Sequence, residues 1–220
     1  MILGIYGAGG LGRELLDLAH VINTETKKWE RVVFINDFKS ELFVSGVEVF
    51  TFAEFERAFT PDKTKIAIAT GEPRVRQILR VKSLENGYAL QSLIHPRAFI
   101  GTNAQIEDGV IIQFGCFVSC DVMVATNTLI QSYATIGHDC IIGRDAVIST
   151  FVAISGACRI GERSFLGVSV PIRENISVGD DSIVGIGSIV LRDIPSNVVA
   201  MGNPARAIKE NTEGYVFRKE

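Results

Sequence analysis

The stretch Ile130-Gln131-Ser132-Tyr133-Ala134-Thr135-Ile136-Gly137-His138-Asp139-Cys140-Ile141-Ile142-Gly143-Arg144-Asp145-Ala146-Val147-Ile148 decides the fold. Ile130, Ile136, Ile142 and Ile148 recur every sixth residue, and four residues after each of the first three stands a small side chain: Ala134, Cys140, Ala146. Read outward in both directions, the aliphatic rule holds without exception from Ile94 to Val190, seventeen positions in succession. A period of six fits neither a helix nor an alternating strand. It marks a parallel β-helix, in which each hexapeptide gives one short strand and one corner. Three hexapeptides close a triangular coil, so the run predicts about five coils stacked roughly 4.8 Å apart. Glycine often follows the inward residue directly, as at Gly137 and Gly143, which suggests a freed backbone at those corners.

Ahead of the repeats the grammar changes. Apolar strands are predicted over Ile2 to Tyr6, Arg31 to Ile35 and Lys65 to Ala69, with a short one from Val47 to Phe50. Helical patterns cover Arg13 to Val21, Phe52 to Phe59 and Arg74 to Asn86. Strands alternating with helices indicate a small, Rossmann-like parallel α/β sheet. The expected division is residues 1–92 for this acceptor-binding domain, 93–205 for the β-helix and 206–220 for a polar tail, a short helix or a mobile end.

Composition bounds the function. With 47% hydrophobic and 21% charged residues the chain is a folded globular protein. A net charge of −3 gives no reason to expect nucleic acid or an anionic membrane as partner. No run approaches eighteen apolar residues, so no membrane insertion is predicted. The start, Met1-Ile2-Leu3-Gly4-Ile5-Tyr6, lacks the features of a signal peptide, and a cytoplasmic location is the expectation. Cys116, Cys140 and Cys158 fall in the small inward slot and read as core fillers, not metal ligands. No metal site is expected.

Two motifs carry chemistry. Gly7-Ala8-Gly9-Gly10-Leu11-Gly12, between a strand and a helix, lets backbone amides approach a diphosphate. Asp37, after Asn36 at the end of the second strand, stands where an acidic residue meets a ribose or base. Gly71 lies in the turn after the third strand. The sheet is half the size of a dinucleotide fold, so a sugar nucleotide is the better ligand than NAD. The second motif is His138, two residues after the inward Ile136 and therefore at an outward corner. Asp139 follows it, and Gly156 stands one coil above. A histidine beside a bare glycine can take a proton while a thioester lies against the backbone. His20 reads as a surface or capping residue, and His95 as a structural one.

With these residues and the closing Gly202-Asn203-Pro204-Ala205-Arg206, the chain resembles hexapeptide-repeat sugar acetyltransferases. The N-terminal glycine loop and Phe34-Ile35-Asn36-Asp37-Phe38 narrow the resemblance to the sialic acid O-acetyltransferase and UDP-4-amino-sugar (bacillosamine-pathway) N-acetyltransferase family. The resemblance implies a left-handed β-helix, a homotrimer with sites between neighbouring prisms, acetyl-CoA in the groove, and a sugar-nucleotide acceptor on the α/β domain. It implies that His138 is the general base, that Asp139 supports it, and that the Gly156 amide faces the thioester carbonyl. Gly167, Val168, Gly185 and Ile186 match turns along the pantetheine arm. Gly7, Gly9, Gly10, Leu11, Gly12, Asn36, Asp37 and Gly71 are the acceptor-binding candidates.

Three departures stand out. Val147 occupies a position often held by a second histidine near the CoA, Gln131 replaces a common asparagine, and Leu11 and Asn36 replace a histidine and an acidic residue near the acceptor. The expected activity is N-acetylation of an amino group, the 4-amino of a dideoxy sugar. Sugar O-acetylation and a non-catalytic sugar-nucleotide scaffold are the alternatives. A zinc hydratase would need about three histidine ligands, which a lone His138 does not supply.

Overall fold

The structure is a computed structural model describing residues 1–38 and 40–217. Its first unit runs β1 (Ile2–Tyr6), α1 (Gly10–Thr26), β2 (Arg31–Ile35), β3 (Phe43–Val44), β4 (Val47–Phe50), α2 (Phe52–Ala58), β5 (Thr64–Ile68), α3 (Pro73–Glu85) and β6 (Ala89–Leu90). These strands form one sheet in the order β3-β4-β2-β1-β5-β6, parallel except for the β3–β4 hairpin. Leu3, Ile5, Val33, Phe34 and Ile66 are fully buried, as strands covered on both faces must be. Helix α1 begins at Gly10, ahead of the Arg13 expected from the apolar pattern, because the glycine run gives no periodic signal. A capping box between Thr51 and Glu54 fixes the start of α2.

From Leu93 onward, two-residue strands recur every six residues and pair in parallel with the strand eighteen residues away. Ile112 thus pairs with Ile130, and Ile130 with Ile148. Three sheets result, forming the faces of a left-handed β-helix. Face 1 contains Leu129–Ile130 and Val147–Ile148, face 2 Thr135–Ile136 and Ala153–Ile154, and face 3 Ile141–Ile142 and Arg159–Ile160. The six-residue aliphatics fill the interior, with Cys116, Cys140 and Cys158 buried among them as free thiols.

The corners turn by a different device from the one the glycines suggest. From Ile100 to Val184 the residue with positive φ lies three after each inward aliphatic, as at Asn127 (φ 60), Asp139 (φ 58) and Asp145 (φ 61). Asn and Asp recur at this position because they tolerate the left-handed region best among residues with a Cβ. The glycine directly after the aliphatic is needed for close approach instead. A Cβ at Gly137 would stand 2.6 Å from the Gly156 nitrogen of the next coil.

The two units share a core. Leu93, Ile111, Leu129, Val147 and Phe165 project from face 1 against Leu15, Leu18 and Ala19 of α1, all buried. The prism is capped by an antiparallel hairpin, Val198–Gly202 with Ala205–Glu210. The first part of the expected tail is therefore a strand rather than a helix. Beyond it the chain returns to the first unit, where the Val216 and Phe217 amides donate to the Glu72 carboxylate at 3.0 Å. Residues 218–220 of that tail lie outside the described residues. Among the described residues no helix is long and apolar enough to cross a membrane.

The close approach of the coils is testable away from any site. A Cβ at Gly143 would fall 2.6 Å from the Glu162 nitrogen and the Gly161 carbonyl carbon, neither of which can move without its coil. Gly143→Ala should destabilise the protein by about 1–3 kcal/mol, the usual cost of overpacking, read as a lower denaturant midpoint. An unchanged midpoint would show that the coils can separate freely.

Candidate active site

The edge between faces 2 and 3 carries the histidine. The coil register places Cys120, His138 and Gly156 in one column there, eighteen residues apart. His138 is well exposed, and its Nδ1 lies 2.7 Å from Asp139 Oδ2. The left-handed turn at Asp139 brings the carboxylate back beside the ring, and its amide is fastened to the Cys120 carbonyl at 3.3 Å. A carboxylate on Nδ1 fixes that nitrogen as the donor and leaves the Nε2 lone pair for an incoming proton.

Gly156 completes the column. A Cβ there would stand 2.6 Å from both Cε1 and Nε2 of His138, so the imidazole lies against the bare glycine. The Gly156 carbonyl accepts from Asn175 at 3.1 Å, while its amide has no acceptor among the described residues. A free N–H beside a basic nitrogen can stabilise an oxyanion while a nucleophile loses its proton.

The other donor-side candidates are elsewhere. Gly167, Val168, Gly185 and Ile186 follow the face 1 strands Phe165–Leu166 and Ile183–Val184, so they line the edge between faces 1 and 2. Val168 and Ile186 are exposed there, and Gly185 and Ile186 border a cavity of about 420 Å³ with Met201 and Phe217. One chain therefore does not bring these four residues together with His138 and Gly156. Val147 is not near His138 either: it is buried under α1 on face 1, opposite the 2–3 edge. Its aliphatic side chain serves the interdomain core. Gln131 lies on the 1–2 edge, where it borders a cleft of about 320 Å³ with Glu14 and His95. His95 accepts from the Arg97 amide at 3.0 Å, a structural bond as expected. His20 is exposed near the middle of α1.

The glycine loop is open where a ligand would need it. A Cβ at Gly9 or Gly10 would meet nothing within 4 Å, and α1 starts with no side-chain cap and no acidic residue in its first turn. Its terminal amides are thus free to meet an anion. Gly7 has another task, since a Cβ there would strike the Ala69 carbonyl at 2.5 Å. Gly12 is buried against the loop, and Leu11 is half-buried against the interdomain core. Asn36 borders a cleft of about 270 Å³ with Ala8 and Arg13. Asp37 is already engaged: Oδ2 accepts from Tyr6 Oη (2.6 Å) and Lys82 Nζ (2.8 Å), and Oδ1 from the Phe52 amide (2.8 Å). Burial pushes its pKa up, but these hydrogen bonds outweigh burial and hold it below the ordinary carboxylate value. Asp37 is thereby the organiser of this rim. Gly71 lies beneath Phe217 of the returning tail, 3.9 Å from a hypothetical Cβ.

A hexapeptide prism with a histidine–carboxylate pair against a glycine defines an acyltransferase class. Residues 3–81 match the family described as the PglD N-terminal domain, and residues 158–192 the hexapeptide repeat of succinyl-transferase. The acetyltransferase domain of PglB from Neisseria gonorrhoeae is 29% identical, with a TM-score of 0.88 over 94% of this chain and 99% of that one. A perosamine N-acetyltransferase mutant from Caulobacter crescentus, solved with CoA and GDP-perosamine, is 26% identical, with a TM-score of 0.86 over 96% and 98%. WeeI from Acinetobacter baumannii, 24% identical with a TM-score of 0.88 over 94% and 100%, shares the fold. The chain joins a PglD-type N-terminal domain to a hexapeptide prism, the arrangement of the acetyl-CoA-dependent sugar acetyltransferases to which it is similar.

Cys120 has no place in the sequence reading, although its spacing of eighteen from His138 marks it. It is the exposed cysteine of the four, directly beneath the imidazole. Burial pushes the Cys116 and Cys140 thiols up to about 11 and also raises that of Cys158. A maleimide at pH 8 should therefore add once per folded chain, at Cys120, as mapped by peptide mass spectrometry. Comparable labelling of Cys140 would contradict a closed interior.

Proposed function

We propose that this enzyme transfers the acetyl group of acetyl-CoA to an amino group of a nucleotide-linked sugar, the 4-amino of a dideoxy sugar. The observation that carries the reading is His138 lying on Gly156 with Nδ1 held by Asp139. The amine nitrogen attacks the thioester carbonyl carbon, and the carbonyl oxygen becomes an oxyanion against the Gly156 amide. Nε2 of His138 takes the proton lost by nitrogen. Collapse breaks the C–S bond, giving the amide and CoA, whose sulfur recovers a proton. Asp139 holds the neutral ring's proton on Nδ1, which leaves the lone pair on Nε2, and stabilises the imidazolium that follows. The open amides at Gly9 and Gly10 are the seat for the diphosphate of the acceptor. The PglB domain solved with acetyl-CoA and the perosamine enzyme solved with CoA and GDP-perosamine support both ligand classes.

The fold supports a trimer in which each site spans two copies. The acceptor domain covers face 1, whereas His138 is on the opposite edge, so a chain cannot present an acceptor to its own base. Face 2 is left bare, with Phe99 and Phe117 exposed and stacked at 4.9 Å below exposed Thr135, Ala153 and Pro171. An exposed apolar stripe of this kind calls for a partner. If face 2 turns toward a three-fold axis, its two borders meet around the ring. The 2–3 edge of one copy, with His138 and Gly156, then faces the 1–2 edge of the next, with Gly167 and Gly185. An axis parallel to the prism also keeps every coil at its own height in all copies.

Two measurements test this reading. His138→Ala should lower kcat by roughly 100-fold or more with an amino-sugar nucleotide such as GDP-perosamine, the range for a lost general base, while acetyl-CoA still binds. Near-wild-type turnover would remove His138 from the mechanism. Light scattering should give three times the chain mass of 24.0 kDa. An active monomer would exclude a site shared between copies.

A further inference from the structure

The apolar contact between the two units has a weakness that follows from the repeat. The residues that face 1 offers to α1 (Leu93, Ile111, Leu129, Val147, Phe165) are one aliphatic or aromatic side chain per coil. Sliding the acceptor domain by one coil, roughly 4.8 Å, presents the same kind of surface again. Hydrophobic contact of this kind is non-directional and fixes no height. Something else must.

The edge between faces 3 and 1 supplies it. Arg76 of α3, fully buried, donates through Nε and Nη2 to the Asn127 carbonyl (2.9 and 2.6 Å) and through Nη2 to Asn127 Oδ1 (3.0 Å). Its Nη1 donates to the Ile68 and Thr70 carbonyls, both at 2.9 Å, which flank Ala69, the residue against which Gly7 of the glycine loop packs. Four residues on, Arg80 grips Asp145 in a two-pronged pair, Nε to Oδ1 and Nη2 to Oδ2, each at 2.9 Å. Asn127 Nδ2 donates to Asp145 Oδ1 at 2.7 Å and joins the two contacts. Four helical residues rise about 6 Å, close to one coil, so successive turns of α3 meet successive corners. Asp145 belongs to the same coil as His138.

These contacts exist at one height only. The equivalent corner positions are Gly109, Asn127, Asp145, Arg163 and Asp181. One coil higher, Arg80 would oppose Arg163, a like charge; one coil lower, Arg76 would meet Gly109, which has no side chain to accept. Buried ionic and polar groups of this kind add little net stability compared with apolar packing and are best attested as register devices. We propose that Arg76 and Arg80 are positioning residues that set the height of the acceptor domain on the prism, and with it the level at which the acceptor meets a base. The second clause rests on the acetyltransferase reading above; the first does not. A displacement of about 1 Å in a reacting group can cost on the order of 100-fold in rate, so a domain free to sample a second height would lose turnover without losing its ligands.

The test removes one pin without leaving a bare charge: Arg80→Met with Asp145→Asn, asparagine being tolerant of the left-handed turn at 145. Spin labels on Glu56→Cys and Gln105→Cys, one on each unit in a Cys120→Ser background and diluted with unlabelled chains, report the height directly. The native pair should give one sharp distance, and the double variant a broadened distribution or a second population. On the best-used acceptor of an amino-sugar nucleotide panel, kcat should fall at least about tenfold. Calorimetric Kd values for acetyl-CoA and that acceptor should stay within about threefold of wild type, a split that simple loss of stability would not produce. Asp145→Asn alone should give an intermediate distribution. A single unchanged distance in the double variant overturns the proposal, as does a kcat loss that disappears well below the variant's Tm. The distances need no turnover, so an inactive wild-type chain would sink the acetyltransferase reading and leave the height claim to be judged on them.

Discussion

Every feature of this protein depends on the hydrogen bonding of one coil to the next in a single parallel register. The Ala157 amide reaches the His138 carbonyl at 2.8 Å, and the Gly137 amide reaches the Ile154 carbonyl at the same distance. A residue and its counterpart eighteen positions on are thereby locked at adjacent heights, so each edge becomes a ruled column of side chains. Cys120, His138 and Gly156 are three solutions at one structural position, and the contact of imidazole with bare glycine arises from their vertical order. The scaffold does not have to be bent to bring imidazole and glycine backbone together. It only has to leave one Cβ out.

The corners that make the columns are costly. A residue with a Cβ in the left-handed region is disfavoured by about 1–2 kcal/mol, and the prism holds such residues at Tyr133, Phe151 and Arg163 as well as at Asn and Asp. Each of the bulky ones has compensation from a neighbouring coil. Tyr133 and Phe151 stack at 5.4 Å, and Arg163 forms a two-pronged pair with Asp181 at 2.7 Å. Coil stacking therefore returns through side chains part of what it demands of the backbone, and does so on surfaces the interior core cannot reach.

Much of this was legible in the sequence, for a physical reason. The interior of a β-helix admits one aliphatic per hexapeptide, and an uninterrupted constraint of that sort leaves a periodic trace from Ile94 to Val190. His138 was legible because its phase relative to Ile136 sets its direction. What the phase could not convey was the identity of each edge. Gly156 and Ile186 stand at the same place in the hexapeptide, two after the inward aliphatic, yet they lie on different edges. Val147 looked like a change at a ligand site because nothing in one strand tells which face a second domain will cover. The Gly137 signal was misread for a similar reason: absence of a Cβ looks the same whether the backbone needs a positive φ or a neighbour needs the space. Asp37 stood at the right strand end, but its bonds to Tyr6 and Lys82 join residues 31 and 45 positions apart, a separation no local pattern records.

Repetition also explains why the two domains need polar contacts at all. A fold built from equivalent coils is strong along its axis and uninformative about position on that axis. Its own strands escape the ambiguity because the chain connects them. A docked domain is joined covalently only at the link near Leu90 to Leu93, and a tether restricts the range of heights more than it selects among them. Selection then falls to groups that differ from coil to coil, which on the side that meets the domain are the corner residues, since the interior is aliphatic and the outward residues of face 1 are apolar. Asn127 and Asp145 are consequently in the one kind of position where a prism can be both stable and particular. The same holds for His138: in a repeating fold, identity resides at the corners.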